Sequence, residues 1–245
     1  KVLADTGIGT DFDTVDTLAK VQTLVNGAIN ALEAVKTEAD ANDGDAITVA
    51  QLQAMGVEGV VDTGAGANIA LINSILDGSV ASTDANTLEK VQKLVDVAVK
   101  IVDLAGDASA AKLTQAELTL IGITGVNSAT KLALVNDLLV SNSPAQDALP
   151  DIQAFANVAA KLITNLELAS DATFTDSNAL TAGDLVTLGF TQDTGTPRTL
   201  ISSGAATDSV NEENLGLIRL AIANAGSSTD DSAVNRLSKI TTLVT

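Results

Sequence analysis

Asp-Thr-Gly occurs three times in this chain, at Asp5-Thr6-Gly7, Asp62-Thr63-Gly64 and Asp193-Thr194-Gly195. The middle copy follows two aliphatics, as Val60-Val61-Asp62-Thr63-Gly64, which is how the catalytic loop of an aspartic peptidase is spelled. Such an enzyme holds two carboxylates on one shared proton, because like charges that close cannot both ionise. A second acid-rich stretch, "DANDGDAIT" at 40–48, has the pattern of a calcium loop between two helices. Hard cations take several oxygens from one short flexible segment, and Asp40, Asn42, Asp43 and Asp45 supply them together with backbone carbonyls. Gly and Asp are transposed from the usual order there, and Gln51 stands where a bidentate Glu belongs. These four residues are the candidate metal ligands, with Ca2+ as the candidate ion. A weaker candidate is the loop at 171–178.

The rest of the chemical inventory is thin. The 245 residues include no His, Cys, Trp or Tyr, and the only aromatics are four Phe. The usual general base, every thiolate nucleophile and the commonest metal ligand are therefore missing, as are stacking platforms for sugars or bases beyond those Phe. Gly-rich "TGIGTD" and "TGAGAN" lack the third Gly of a dinucleotide loop and read as turns. Thirty-one acids against 13 bases leave a net charge of −18, spread along the chain. That field repels phosphate backbones and anionic lipid, so nucleic-acid partners are not expected. No apolar run nears the ~18 residues of a bilayer span, so membrane insertion is not expected either. Lys1 opens the chain without Met or a signal-like segment, as expected of a processed chain or an excised fragment.

What must position these residues is a repeat. "DTLAKVQTLV" at 16–25 returns as "NTLEKVQKLV" at 86–95, as "DALPDIQAFA" at 147–156 and as "NRLSKITTLV" at 235–244. A second block follows as "ITVAQLQAMGV" (47–57), "LTQAELTLIGI" (113–123) and "LTAGDLVTLGF" (180–190). A third follows as "NIALINSIL" (68–76), "KLALVNDLL" (131–139) and "NLGLIRLAI" (214–222). Three blocks recurring in one order mark tandem units.

Each block predicts a helix. Val21, Leu24, Val25, Ala28, Ile29, Leu32 and Val35 fall at the three-and-four spacing of one apolar face. Asp16, Asn86, Asp147 and Asn235 stand where a helix cap is expected, and Pro150 suits a first turn. The second block opens on a capping box each time, Thr48 with Gln51, Thr114 with Glu117 and Thr181 with Asp184, the Asp being the shorter and weaker partner. It closes at Gly56, Gly122 or Gly189. Met55 belongs to the core face, and Asn73, Asn136 and Arg219 either face a neighbour or cap a turn.

The expected fold is all-α, with tandem three-helix modules stacked as an extended array. Residues 1–12 are expected to be the tail of a preceding module, 13–82 the first full module, and 83–143 the second. Residues 144–231 form the third, with a long insertion at 190–213, and 232–245 start a further first helix. "LTQAELTLIGITGV…KLALVNDLL" together with "DANTLEKVQKLV" resembles the short helical repeats of very large secreted bacterial surface proteins, the repetitive adhesin and biofilm-associated kind. The three-helix layout is similar to albumin-binding-type modules of streptococcal surface proteins. The resemblance implies an extracellular, cell-surface or matrix location.

In this setting the peptidase reading fails. Asp62 and Asp193 occupy equivalent places in two separate helical units, and the second unit carries "ITGVN" there instead. Asp and Thr are expected to cap the turn or third helix, with Gly supplying positive φ. The expected role is non-catalytic: a stalk or fibre building block, partnered by neighbouring modules of its own chain. The alternative is a self-assembling filament or surface-layer subunit, stiffened by calcium.

Overall fold

The computed structural model describes residues 17–41, 46–64, 66–79, 82–141, 146–167, 180–188, 191–192, 209–210, 212–225, 234 and 236–244. The fold is all-helical. The first-block helices are α1 (Leu18–Ala41), α4 (Leu88–Leu104), α7 (Leu149–Glu167) and α10 (Leu237–Val244). The second-block helices are the single-turn-and-a-half α2 (Val49–Ala54), α5 (Gln115–Leu120) and α8 (Ala182–Thr187). The third-block helices are α3 (Ile69–Ser79), α6 (Ala129–Ser141) and α9 (Glu212–Asn224). A short 3-10 turn covers Ser82–Asp84. Among the described residues the one departure is β1 (Thr191–Gln192) paired in parallel with β2 (Ser209–Val210), inside the expected insertion.

Helices of six residues are too short to persist on propensity, so their ends must be secured. Three complete capping boxes secure the starts. The Thr48, Thr114 and Thr181 hydroxyls accept from the amides of Gln51, Glu117 and Asp184 at 3.3, 3.2 and 3.1 Å. The returning bonds, from each Thr amide to the acidic or amide side chain, measure 2.8, 2.7 and 2.7 Å. Asp184 therefore closes its box as tightly as Glu117 does, against the expectation of a weaker partner. At the other end, the Val57 amide donates to Leu52 and the Gly56 amide to Gln53, the double bond of a Schellman turn. Ile123 and Gly122 repeat it on Leu118 and Thr119. Gly56 and Gly122 sit at φ 81° and 83°, where any Cβ would be strained. Gly189 lies outside the described residues.

The first-block caps differ from expectation. Thr17 and Thr87, one residue after Asp16 and Asn86, accept from the amides of Lys20 and Lys90 at 3.2 and 3.3 Å. Asn86 instead accepts from the Lys90 ammonium at 3.2 Å. The reason is register: the hydroxyl at the first position reaches the third helical amide, and the residue before it does not. Asp16 and Asn235 lie outside the described residues. Pro150 is in the first turn of α7 as expected.

Contacts divide the chain into two compact units. The first comprises Lys1–Ile123 with Asn142–Asp151, the second Thr124–Ser141 with Ile152–Thr245. In the first, α1 packs on α2 and α3, and α3 on α4, around Leu52, Met55, Ile72, Ile75, Leu94 and Ile101. In the second, α10 packs on α9 and α6, and the core includes Leu134, Leu138, Ile152, Phe155, Leu162 and Leu185. Each such side chain, fully buried, contributes about 1.5–3 kcal/mol. No described helix is long and apolar enough to cross a membrane.

Candidate functional site

Most of the residues with the most chemical promise lie outside the described residues. Asp40 sits exposed in the last turn of α1, while Asn42, Asp43 and Asp45 lie outside the described residues, as does 171–178. Among the described residues no group of three or more His, Cys, Asp or Glu is placed to hold a metal ion. Asp62 and Thr63 are exposed, and the loop they belong to is tied by a different residue. Buried Asn68 accepts from the Val61 amide at 2.9 Å and donates to the Gly59 carbonyl at 2.7 Å. Gly64 does take the expected positive φ, 89°. Asp5 and Asp193 lie outside the described residues.

Two open surface grooves accompany the helices. One, of about 740 Å³, is lined by Glu58, Gln92, Asp96, Lys100, Asp103 and Asp107 among others. The other, of about 550 Å³, includes Asn157, Lys161, Thr181, Asp184 and Thr187. In the second, the Thr181 hydroxyl donates to the Asp184 carboxylate at 2.7 Å, a bond that belongs to the capping box of α8. Lys161 donates to both Asp184 oxygens at 2.7 and 2.9 Å, so its amine is engaged. Lys100 holds Glu117 in the equivalent pair at 2.8 Å. Partial burial opposes ionisation of the Glu117 carboxyl, but the Lys100 ammonium and the Thr114 amide and hydroxyl outweigh it and lower its pKa. The first copy carries Asn30 and Gln51 at these two positions, so lysine and acid are exchanged together for amides.

What the structure does assemble repeatedly is a set of polar clasps. Gln92 on α4 accepts from the Glu58 amide at 2.9 Å and donates to the Glu58 carbonyl at 3.1 Å. Gln153 on α7, at the same register, accepts from the Thr124 amide at 2.9 Å and donates to the Thr124 carbonyl at 3.2 Å. Each glutamine thus pairs with the loop after the preceding second-block helix as a strand neighbour would. A further bond, to Asp96 or Asn157 one helical turn on, orients the amide. In the third copy the loop residue is Thr191, which pairs with β2 instead, and the next first-block helix has Thr241 where Gln is due.

A second clasp joins block three to the start of a later block one. The Leu149 amide donates to the Ser74 hydroxyl at 2.8 Å, and the Leu237 amide to Asp137 at 3.3 Å, with Arg236 on the other Asp137 oxygen at 3.0 Å. Ser74 and Asp137 are equivalent positions, as are Leu149 and Leu237. Here Ala148 and Arg236 replace the threonine that caps α1 and α4, and another helix supplies an acceptor for the first helical amide instead of the third. Asn73 forms a third clasp, accepting from the Ile47 amide at 2.8 Å and donating to its carbonyl at 3.0 Å. In the third copy Arg219 donates to the Leu180 carbonyl and Asn165 accepts from the Leu180 amide at 3.2 Å.

Comparison with known proteins returned no matching family, no similar curated protein and no similar solved structure.

The glutamine contacts were what sequence reading passed over. Their signal was available: a Gln at the seventh place of three first-block copies, always on a helix face.

Proposed function

We propose that the chain is a non-catalytic repeat segment of an extracellular bacterial surface or matrix protein, a stalk or fibre building block made of stacked three-helix modules. The observation that carries this is the glutamine clasp, made twice at one register between a loop of one copy and the first helix of the next. Interactions that recur between neighbouring units are what hold a quasi-one-dimensional array together. The surface location rests on the resemblance of the repeats. The charge of −18 keeps an array soluble, and divalent cations lower its self-repulsion. The exposed apolar residues of α1 favour one second reading, a self-assembling filament or surface-layer subunit.

Small-angle X-ray scattering on the full chain tests both. A compact chain of 245 residues would have a radius of gyration of about 18 Å. The expected value is well above that and independent of protein concentration. A value near the compact one overturns the stalk reading. Growth with concentration, with filaments in electron micrographs, selects the second.

A further inference from the structure

The apolar face of α1 is dressed differently from the same face of its counterparts. Leu18, Val25 and Ile29 are 83, 41 and 53% exposed, whereas Val95 and Ala156, equivalent to Val25, are both 0% exposed. Leu149, equivalent to Leu18, is buried against Gly78 of α3, and Leu88 in α4 is half-buried. Over α4 the cover includes the 57–60 loop: a Cβ on Gly59 would lie 3.3 Å from the Val99 side chain, and Val99 is the counterpart of Ile29. Gln22 already bonds to Asn26 at 2.8 Å, the same one-turn bond that orients Gln92 and Gln153. A terminal unit built to face water carries a polar outer face, and α1 does not.

We infer that Leu18, Gln22, Val25 and Ile29 form the acceptor half of a clasp, and that its occupant is a loop of the Gly–aliphatic–x–Gly kind from a further module. The two examples in this chain are Gly56-Val57-Glu58-Gly59 and Gly122-Ile123-Thr124-Gly125. The occupant's third residue presents its backbone N–H and C=O to the Gln22 amide, and its flanking backbone lies over Val25 and Ile29. A second copy of this chain is a poor source. Its first two loops are engaged by Gln92 and Gln153, and its third copy has Thr191 strand-paired and lacks the Gly motif. This inference rests on the modular reading proposed above.

Register makes a direct test available. Joining residues 1–146 to residues 16–245 places α1 after the Gly122–Gly125 loop at the spacing that α7 has, with Gln22 in the place of Gln153. The chain has no cysteine, so one introduced thiol reports alone. Val25→Cys is expected to react with a maleimide freely in the native chain and, when placed only in the second of the two α1 copies that the splice contains, roughly tenfold or more slowly, as local opening becomes necessary. Adding Gln22→Ala to that same second copy is expected to restore much of the rate. Equal Val25→Cys rates in both chains overturn the inference, provided that Val95→Cys stays protected in the native chain. If Val95→Cys is itself freely reactive, the clasp fails and the modular reading with it. A splice that melts below the native chain also overturns the inference, since the register would then not accept α1. So does protection of Val25→Cys that grows with native-chain concentration, which would assign the face to a second copy.

Discussion

Glu117 serves two partners at once: its carboxylate closes the capping box of α5 and receives the Lys100 ammonium from α4. Its folded pKa is lowered from the ordinary 4.5. A depressed carboxyl contributes stability that is fully present above the unfolded value and lost as pH falls through the folded value. The chain is therefore expected to lose this contribution on acidification below about pH 4.5. Glu117→Gln tests it, because Gln51 shows that an amide can close the same box without a charge. At neutral pH the variant is expected to be less stable by on the order of 1 kcal/mol, the scale of a partly exposed ion pair. In melts followed by circular dichroism that gap should close as the pH drops below the window. A gap that persists at pH 3 would mean that packing, not charge, distinguishes the two.

Between elements, the loops after the second-block helices bear the tightest backbone demands. Gly59 and Gly125 hold φ 79° and 86° at equivalent places, so alanine at either costs about 1–2 kcal/mol of left-handed strain. They differ in their surroundings: the new Cβ at 59 meets Val99 at 3.3 Å, whereas at 125 nothing lies within 4 Å. Gly59→Ala is accordingly expected to lower the urea midpoint more than Gly125→Ala. Equal losses would show that Val99 yields without penalty. Helix existence, the three capping boxes and the Gly56 and Gly122 stops were legible in the sequence, because each is a local bond between residues a few positions apart. The cap of α7 was not. Nothing within Ala148 or its neighbours names Ser74, which comes from 75 positions away.

For the whole chain, −18 spread over its length makes self-repulsion the electrostatic term that matters most. Added NaCl is expected to raise the thermal midpoint by screening it. Calcium at matched ionic strength is expected to give the same curve, because the acid cluster at 40–45 thins to Asp107 in "LAGDASAAKLT" and drifts to Asp171 and Asp176 in "LASDATFTDSNALT". A calcium-specific rise abolished by Asp43→Asn would instead assign an ion to that loop, since a ligand of the folded state stabilises it by mass action.

By itself the sequence determined the all-helical class, the order of the three blocks and a chemical inventory without His, Cys, Trp or Tyr. Those follow from periodicity, short-range capping and residue types, which need no knowledge of what lies nearby in space. Only the tertiary structure decided which apolar faces are covered. Val25 and Val95 occupy the same place in the same pattern, yet one is exposed and the other buried. Burial depends on a second surface arriving, and a helix's own residues do not encode whether one does. The same holds for Gln22, Gln92 and Gln153: identical side chains at one register, of which two find a loop backbone to pair with.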